Sequence, residues 1–164
     1  MAILNAFKSR GYKDIDTSRL YPPGNAGASE AMLGKLEASS TFNIHTKVSG
    51  VHQADRIALS IQESFDALQT DHVETMFLHV PDRKTPFKET LGAMHAACQD
   101  GKFNNYGISN YTADEVQQIL EICDAKGYSK PSVYQGHYNV ITRGAEEKLI
   151  PLLHKHNVAF QVYR

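Results

Sequence analysis

The chain has 164 residues, of which 41% are hydrophobic and 21% are charged, a length and composition typical of one globular domain spanning residues 1–164. Seventeen Lys and Arg against eighteen Asp and Glu give a formal net charge of −1, which argues against a nucleic-acid-binding protein. No apolar run is long enough to span a membrane, so we expect no membrane partner.

Two features predict a cytoplasmic protein. The first eight residues, Met1 to Lys8, lack the charged start and long apolar stretch of a signal peptide. The two cysteines, Cys98 and Cys123, fall within helix-like segments. We expect them to be reduced and buried rather than joined in a disulfide.

The first part of the chain predicts a helix over residues 1–10 that ends at Gly11, a strand over 12–16 and a loop over 22–27. Ser29 suits the N-cap of the next helix. The side chains expected on the buried face of that helix are Met32, Leu33 and Leu36.

The same alternation continues to the end of the chain. Further strands are predicted over 42–47, 73–79, 106–109, 132–135 and 158–163. The helices between them are predicted over 54–68, 87–100, 113–126 and 145–156. Strands that alternate with helices at this spacing indicate parallel βαβ units, which doubly wound sheets and (β/α) barrels share.

Ionisable side chains favour the barrel, because they stand at or just after successive strand ends: Asp16 and Tyr21, then Lys47, then His79. Active sites of (β/α) barrels lie at the carboxyl ends of their strands. We therefore predict an incomplete TIM-type barrel with about six parallel strands.

These four residue types can protonate a carbonyl oxygen. A phenol has an ordinary pKa of about 10, and we expect the Lys47 ammonium to lower the pKa of Tyr21 while Asp16 holds Lys47 in place. His79 can donate a hydrogen bond to a substrate oxygen. Delivery of hydride to an aldehyde or ketone needs this chemistry.

Five groups of motifs follow one another in chain order. They are Ile15-Asp16-Thr17-Ser18 with Tyr21, Ser29-Glu30 and Leu33-Gly34; Thr46-Lys47; Leu78-His79-Val80-Pro81-Asp82; Gly101-Lys102-Phe103 with Gly107-Ile108-Ser109-Asn110-Tyr111; and the run from Val133 to Arg143. Together they resemble the aldo-keto reductases, and the last run is similar to the aflatoxin-aldehyde reductase branch and its fungal relatives. The resemblance covers essentially the whole chain.

The resemblance implies a role for each residue. Tyr21 would be the general acid, Asp16 and Lys47 its modulators, and His79 the group that orients the substrate. The residues implied at the nicotinamide are Ser109, Asn110 and Gln135 on its carboxamide and Tyr163 stacked on its ring. His137 follows a strand end and could line the substrate pocket.

The resemblance also implies missing parts. A typical barrel of this kind has about 250 residues, and we expect the first and eighth strands and the C-terminal phosphate-binding part of the family to lie outside this chain. An isolated chain should then bind NADPH weakly. The strands near Tyr12 and Val158 would be open edges, which tend to pair, so we expect a homo-oligomer in which two chains complete each other.

Other functions remain open from the sequence. The same residues could serve a cofactor-independent acid–base enzyme of fungal secondary metabolism that opens epoxides, dehydrates alcohols, isomerises or cyclises. The chain could also be a non-catalytic remnant or subunit. We expect no metal site, because His154 and His156 do not face each other on a helix and the other histidines lack ligand companions.

Overall fold

The computed structural model describes residues 2–164, which form six parallel strands and six α-helices in alternation. The strands are β1 (Asp14–Asp16), β2 (Asn43–Val48), β3 (Val73–Leu78), β4 (Phe103–Ser109), β5 (Val133–His137) and β6 (Ala159–Tyr163). The helices are α1 (Ala2–Ser9), α2 (Ala28–Lys35), α3 (Ala54–Leu68), α4 (Phe87–Gln99), α5 (Ala113–Lys126) and α6 (Leu149–Lys155). No helix within residues 2–164 has the length and apolar character needed to cross a membrane.

The strands lie in one sheet in chain order, and each pairs in parallel with the next. Asp16 on β1 and Gln135 on β5 are nevertheless joined by a hydrogen bond of 2.9 Å. In a flat sheet, four strand spacings would hold them roughly 19 Å apart. The sheet is therefore curled into a half-barrel, which confirms the predicted incomplete barrel.

The main core lies between the convex face of the sheet and the helices. In α3 and α5 the buried residues recur at helical spacing, as the sequence predicts. They are Ile57, Ile61, Phe65 and Leu68 in α3 and Val116, Ile119, Leu120 and Cys123 in α5.

Local sequence explains where α5 begins and how closely α2 packs against α3. Thr112 and Glu115 form a capping box at the start of α5, which satisfies two backbone N–H groups. At Gly34 in α2, a Cβ would stand 2.2 Å from the carbonyl oxygen of Ala67. A side chain there would force α2 away from α3.

The start and buried face of α2 differ from the sequence expectation. The N-cap is Gly27, whose φ of 82° is left-handed, and not Ser29. The Ser29 hydroxyl instead lies 2.8 Å from the hydroxyl of Thr17. Met32 is 63% exposed, and Leu33 is the predicted face residue that is buried.

Other boundaries also differ from those predicted. β1 starts at Asp14 rather than at residue 12, and β4 starts at Phe103 rather than at Tyr106. The last helix starts at Leu149, because residues 144–146 form a separate 3₁₀ turn. Cys98 is only partly buried, whereas Cys123 is buried as expected.

Candidate active site at the carboxyl ends of the strands

The carboxyl ends of the strands surround a cavity of about 350 Å³. Its lining consists of Asp16, Tyr21, His79, Ser109, Asn110, Gln135, His137, Tyr163 and Arg164. Eight of the nine site residues that the sequence predicts are in this set, and the ninth, Lys47, is fully buried and contacts Asp16. The fold thus brings all nine to one edge of the sheet.

We call Asp16, Tyr21, Lys47 and His79 the acid–base cluster. The Lys47 ammonium donates to both carboxylate oxygens of Asp16, at 2.7 and 2.8 Å, and to the carbonyl oxygen of Thr17 at 2.7 Å. The Lys47 side chain is 0% exposed, whereas that of Asp16 is 31% exposed. The predicted ion pair between these two strand ends is confirmed.

Burial also sets the proton affinity of Lys47. Loss of solvation lowers its pKa, and the attraction of Asp16 opposes that effect without cancelling it. The ammonium has three hydrogen-bond acceptors, so its orientation is determined before any ligand arrives.

Tyr21 does not follow the expectation that Lys47 lowers its pKa. Burial raises the pKa of Tyr21 above its ordinary value, and the negative charge of Asp16 raises it further. Lys47 Nζ lies 5.1 Å from the centre of the Tyr21 ring, but its three protons are directed at Asp16 and Thr17. Tyr21 is therefore a neutral phenol that keeps its proton at neutral pH.

His79 stands next to Tyr21, with the two ring centres 5.9 Å apart and the planes nearly perpendicular. Its Nδ1 atom lies 3.2 Å from Ser18 Oγ and 3.3 Å from Ser49 Oγ. Burial lowers the pKa of His79, and the positive charge of Lys47 lowers it further. The imidazole is thus favoured in its neutral form.

We call Ser109, Asn110, Gln135 and Tyr163 the β4–β6 cluster. Asn110 has a left-handed φ of 68°, which asparagine tolerates better than most residues. Its amide donates to the carbonyl oxygen of His79 at 2.9 Å and to the Ser109 hydroxyl at 3.0 Å. The Tyr163 hydroxyl donates to Asn110 Oδ1 at 2.7 Å.

Gln135 connects the two clusters across the half-barrel. Its amide nitrogen donates to Asp16 Oδ1 at 2.9 Å, the same oxygen that accepts from Lys47 at 2.7 Å. On the neighbouring strand the Tyr163 ring stacks on His137, with the ring centres 5.6 Å apart. These positions agree with the predicted site, while the roles assigned to its residues remain predictions.

Sequence reasoning missed several residues that support the site. Ser18 and Ser49 contact His79, and the carbonyl oxygen of Thr17 accepts from Lys47. Ser18 and Ser49 each lie two residues beyond a strand-end residue of the acid–base cluster. That spacing along the same rim was the available signal.

Among residues 2–164 no group of three or more His, Cys, Asp or Glu side chains is placed to hold a metal ion. A larger groove of about 500 Å³ lies beside the cavity. Arg19, Arg56 and Glu63 contribute its charges, and it contains none of the predicted site residues.

Comparison with known families decides the affiliation of the chain. The model of the aldo/keto reductase family matches residues 1–164. The chain belongs to this family. Family members generally use NADPH.

Named relatives agree with that assignment. Oxidoreductase sirO of Leptosphaeria maculans is 39% identical over 91% of this chain and 46% of its own length. Human aldo-keto reductase family 7 member A3 is 37% identical over 99% of this chain and 51% of its own length. Mouse aflatoxin B1 aldehyde reductase member 2 is 37% identical over 99% of this chain and 46% of its own length. The chain spans about half the length of these relatives.

Proposed function

We propose that this chain carries the carbonyl-reducing site of an NADPH-dependent aldo-keto reductase that acts on a small aldehyde or ketone. One observation carries the proposal: a neutral phenol, a buried Lys–Asp pair and a row of amide groups line or adjoin one cavity. Because the chain spans about half the length of its relatives, the activity of the whole protein and its substrate belong to the proposal.

In this function Tyr21 donates its phenolic proton to the oxygen of the substrate carbonyl. The raised pKa of Tyr21 keeps that proton available at neutral pH. Lys47 provides a positive charge near the phenolate that forms, and Asp16 and Thr17 hold Lys47 still. His79 orients the substrate as a hydrogen-bond donor.

The β4–β6 cluster suits the nicotinamide end of NADPH. A carboxamide carries one acceptor oxygen and an amino group that donates, and the amides of Asn110 and Gln135 offer both complementary functions. Ser109 adds a hydroxyl, and Tyr163 adds an aromatic face. When bound, NADPH supplies the hydride, while these side chains orient the carboxamide and keep water from the reacting carbon.

We also propose that the chain self-associates in the cytoplasm. β1 and β6 each have one strand neighbour among residues 2–164, and edges of this kind tend to pair. Cys98 and Cys123 are both free, as suits a reducing compartment. No observation favours the cofactor-independent alternative.

The test combines NADPH titration with an aldehyde-reduction assay of wild type and Tyr21→Phe. We expect Tyr21→Phe to lower kcat by about 100-fold or more, because loss of a general acid typically has this effect. NADPH affinity should stay within a factor of about two, since the phenol acts on the substrate oxygen. Tyr12→Phe is the matched control, because Tyr12 is 60% exposed and stacks on Phe7 outside the cavity.

Two outcomes would contradict the proposal. If NADPH does not bind even at millimolar concentration, the reductase function is wrong for this chain. If product forms without oxidation of NADPH and Tyr21→Phe abolishes that reaction, the cofactor-independent alternative is correct.

A further inference from the structure

Two serine hydroxyls approach the same nitrogen of His79. Nδ1 lies 3.2 Å from Ser18 Oγ and 3.3 Å from Ser49 Oγ. A neutral imidazole carries its proton on one nitrogen only, and the groups around the ring decide which one. We propose that Ser18 and Ser49 are positioning residues that hold His79 in the tautomer with its proton on Nε2.

Ser18 provides most of the support for this tautomer, because the residue is fully buried, with 0% of its surface exposed. Its oxygen accepts a hydrogen bond from the Leu20 backbone N–H at 3.1 Å. Within the described part of the chain, His79 Nδ1 is the acceptor within reach of the Ser18 hydroxyl proton. If Nδ1 carried a proton, the Ser18 hydroxyl proton would be buried without an acceptor.

The size of this effect follows from the cost of an unsatisfied buried hydroxyl, which corresponds to a preference of about tenfold or more for the Nε2–H tautomer. Ser49 is half-buried, so its hydroxyl can turn to solvent and contributes less. It approaches the same lone pair and reinforces the same tautomer.

The surroundings of His79 keep its ring neutral, so the choice between the two neutral tautomers is the relevant one. Lys47 and Asp16 face the ring with opposite signs, and the neutral phenol of Tyr21 lies beside it. Doubly protonated His79 would bring a positive charge next to Lys47 and would leave the Ser18 proton without an acceptor. Both effects disfavour the imidazolium form.

The consequence for the site rests on the proposed function. With Nδ1 occupied by the serines, the Nε2 N–H is the donor that His79 offers to a carbonyl oxygen in the cavity. The opposite tautomer would present a lone pair there and would repel that oxygen. Ser18 and Ser49 would thus act on the substrate through His79 without touching it.

The chain contains an internal reference for each tautomer. The backbone N–H of Ser129 donates to His95 Nδ1 at 3.1 Å, and an amide N–H can only donate, so neutral His95 carries its proton on Nε2. His72 Nδ1 lies 2.8 Å from the carbonyl oxygen of Gly101. A carbonyl can only accept, so neutral His72 carries its proton on Nδ1.

The experiment is a long-range ¹H–¹⁵N correlation spectrum of the ¹⁵N-labelled 164-residue protein at about pH 8, above the ordinary imidazole pKa of about 6.5. Histidine-to-glutamine variants assign the three rings. We expect wild-type His79 to show the cross-peak pattern of His95. A pattern that matches His72 in the wild type would overturn the proposal, with no variant needed.

Substitutions then test the two serines. In the double variant of Ser18→Ala and Ser49→Ala, the tautomer preference of about tenfold should fall to about threefold or less, and Ser18→Ala alone should account for most of the change. Ser129→Ala is the matched control, because it removes a hydroxyl next to His95 but leaves the backbone N–H that sets the tautomer. Its spectrum should keep the wild-type patterns of both His95 and His79.

Outcomes for the tautomer and for the proposed function are separable. If the serine variants leave the His79 pattern unchanged while circular dichroism shows a native fold, the positioning role is wrong, whatever the enzymatic activity. If the tautomer responds as expected but NADPH does not bind, the tautomer inference stands and the reductase function fails. If both hold, the double variant should raise KM or lower kcat in carbonyl reduction without changing NADPH affinity.

Discussion

The two clusters that face the cavity are held by different forces. In the acid–base cluster a fully buried Lys47 donates three hydrogen bonds to acceptors on Asp16 and Thr17, two of them charged. In the β4–β6 cluster the contacts among Ser109, Asn110 and Tyr163 join neutral groups. Asn110 itself is exposed.

This difference indicates two ways of preparing one site. A charged, buried pair strongly resists rearrangement, because separating its partners would leave a charge without compensation. Neutral amides and hydroxyls can exchange one partner for another at little cost. The acid–base cluster is therefore set in advance, while Ser109, Asn110 and Tyr163 of the β4–β6 cluster can redirect their hydrogen bonds to a ligand. Gln135, which donates to the Asp16 carboxylate, lies between the two cases.

The largest expected effect tests whether a buried charged pair holds the acid–base cluster. Lys47→Met should lower the free energy of unfolding by about 2–3 kcal/mol, because it leaves the partly solvated carboxylate of Asp16 without its positively charged partner. Lys130→Met is the control: Lys130 lies 2.6 Å from Asp124, but both side chains are exposed, so the loss should be at most about 0.5 kcal/mol. Urea denaturation measures both. Equal losses would show that burial does not distinguish the two pairs.

Asp82 extends the same test to the loop after β3. It accepts hydrogen bonds from the backbone of His52 and Lys84 and from the Thr85 hydroxyl, at 3.0, 2.9 and 2.7 Å. These bonds hold the pKa of Asp82 well below its usual range, and the bond from the His52 backbone has the largest effect. Since the folded pKa is depressed, the carboxylate stabilises the fold above the unfolded value of 3.8, and that contribution is lost as the pH falls.

We therefore expect Asp82→Asn to cost about 1–2 kcal/mol at neutral pH and progressively less in acid. Urea unfolding at a series of pH values measures the difference. Asp71→Asn, at an exposed position, should stay within about 0.5 kcal/mol of wild type throughout. A cost of Asp82→Asn that does not change with pH would mean that the carboxylate charge is not what stabilises this loop.

The β4–β6 side is tested through Gln135. We expect Gln135→Leu to weaken NADPH binding about tenfold, because one hydrogen-bonding amide of the cofactor site is lost. Gln161→Leu is matched to it: the two glutamines are register partners on neighbouring strands, and Gln161 does not line the cavity. Fluorescence titration with NADPH compares them. The role of Gln135 would be wrong if the two variants bound alike.

The smallest expected effect concerns the edge of β6 that faces away from β5. The Ala159 N–H and the Tyr163 carbonyl point toward β5, so by alternation the Val162 N–H points away from it. Val162→Pro should remove one outward donor per chain without breaking the bonding to β5, and should weaken self-association severalfold. Sedimentation velocity measures the change in self-association. A monomeric wild type at all accessible concentrations would contradict the proposed self-association.

Much of the site was predictable because the position of a strand end can be read from the residues next to it in the sequence. Asp16 and Lys47 each stand at a strand end, and parallel pairing brings such ends together, so their contact at 2.7 Å was expected. The N-cap of α2 was not predictable in the same way. Ser29 has a suitable side chain, but its hydroxyl lies beside Thr17, twelve residues away in the chain.

The pKa of Tyr21 shows the same limit. The sequence places a lysine nearby and suggests a lowered pKa, whereas burial and the charge of Asp16 raise it. The outcome depends on where the three protons of Lys47 are directed and on how much solvent is lost. Neither quantity is encoded in spacing along the chain.

By itself, the sequence determined the alternation of strands and helices, the family, and the edge of the sheet where the site lies, since these follow from periodicity and strand-end position. Only the tertiary structure decided the curl that joins Asp16 to Gln135, the raised pKa of Tyr21 and the approach of Ser18 and Ser49 to His79. These depend on distances between residues far apart in the chain and on the burial of charge, which arise only when the sheet closes around the cavity.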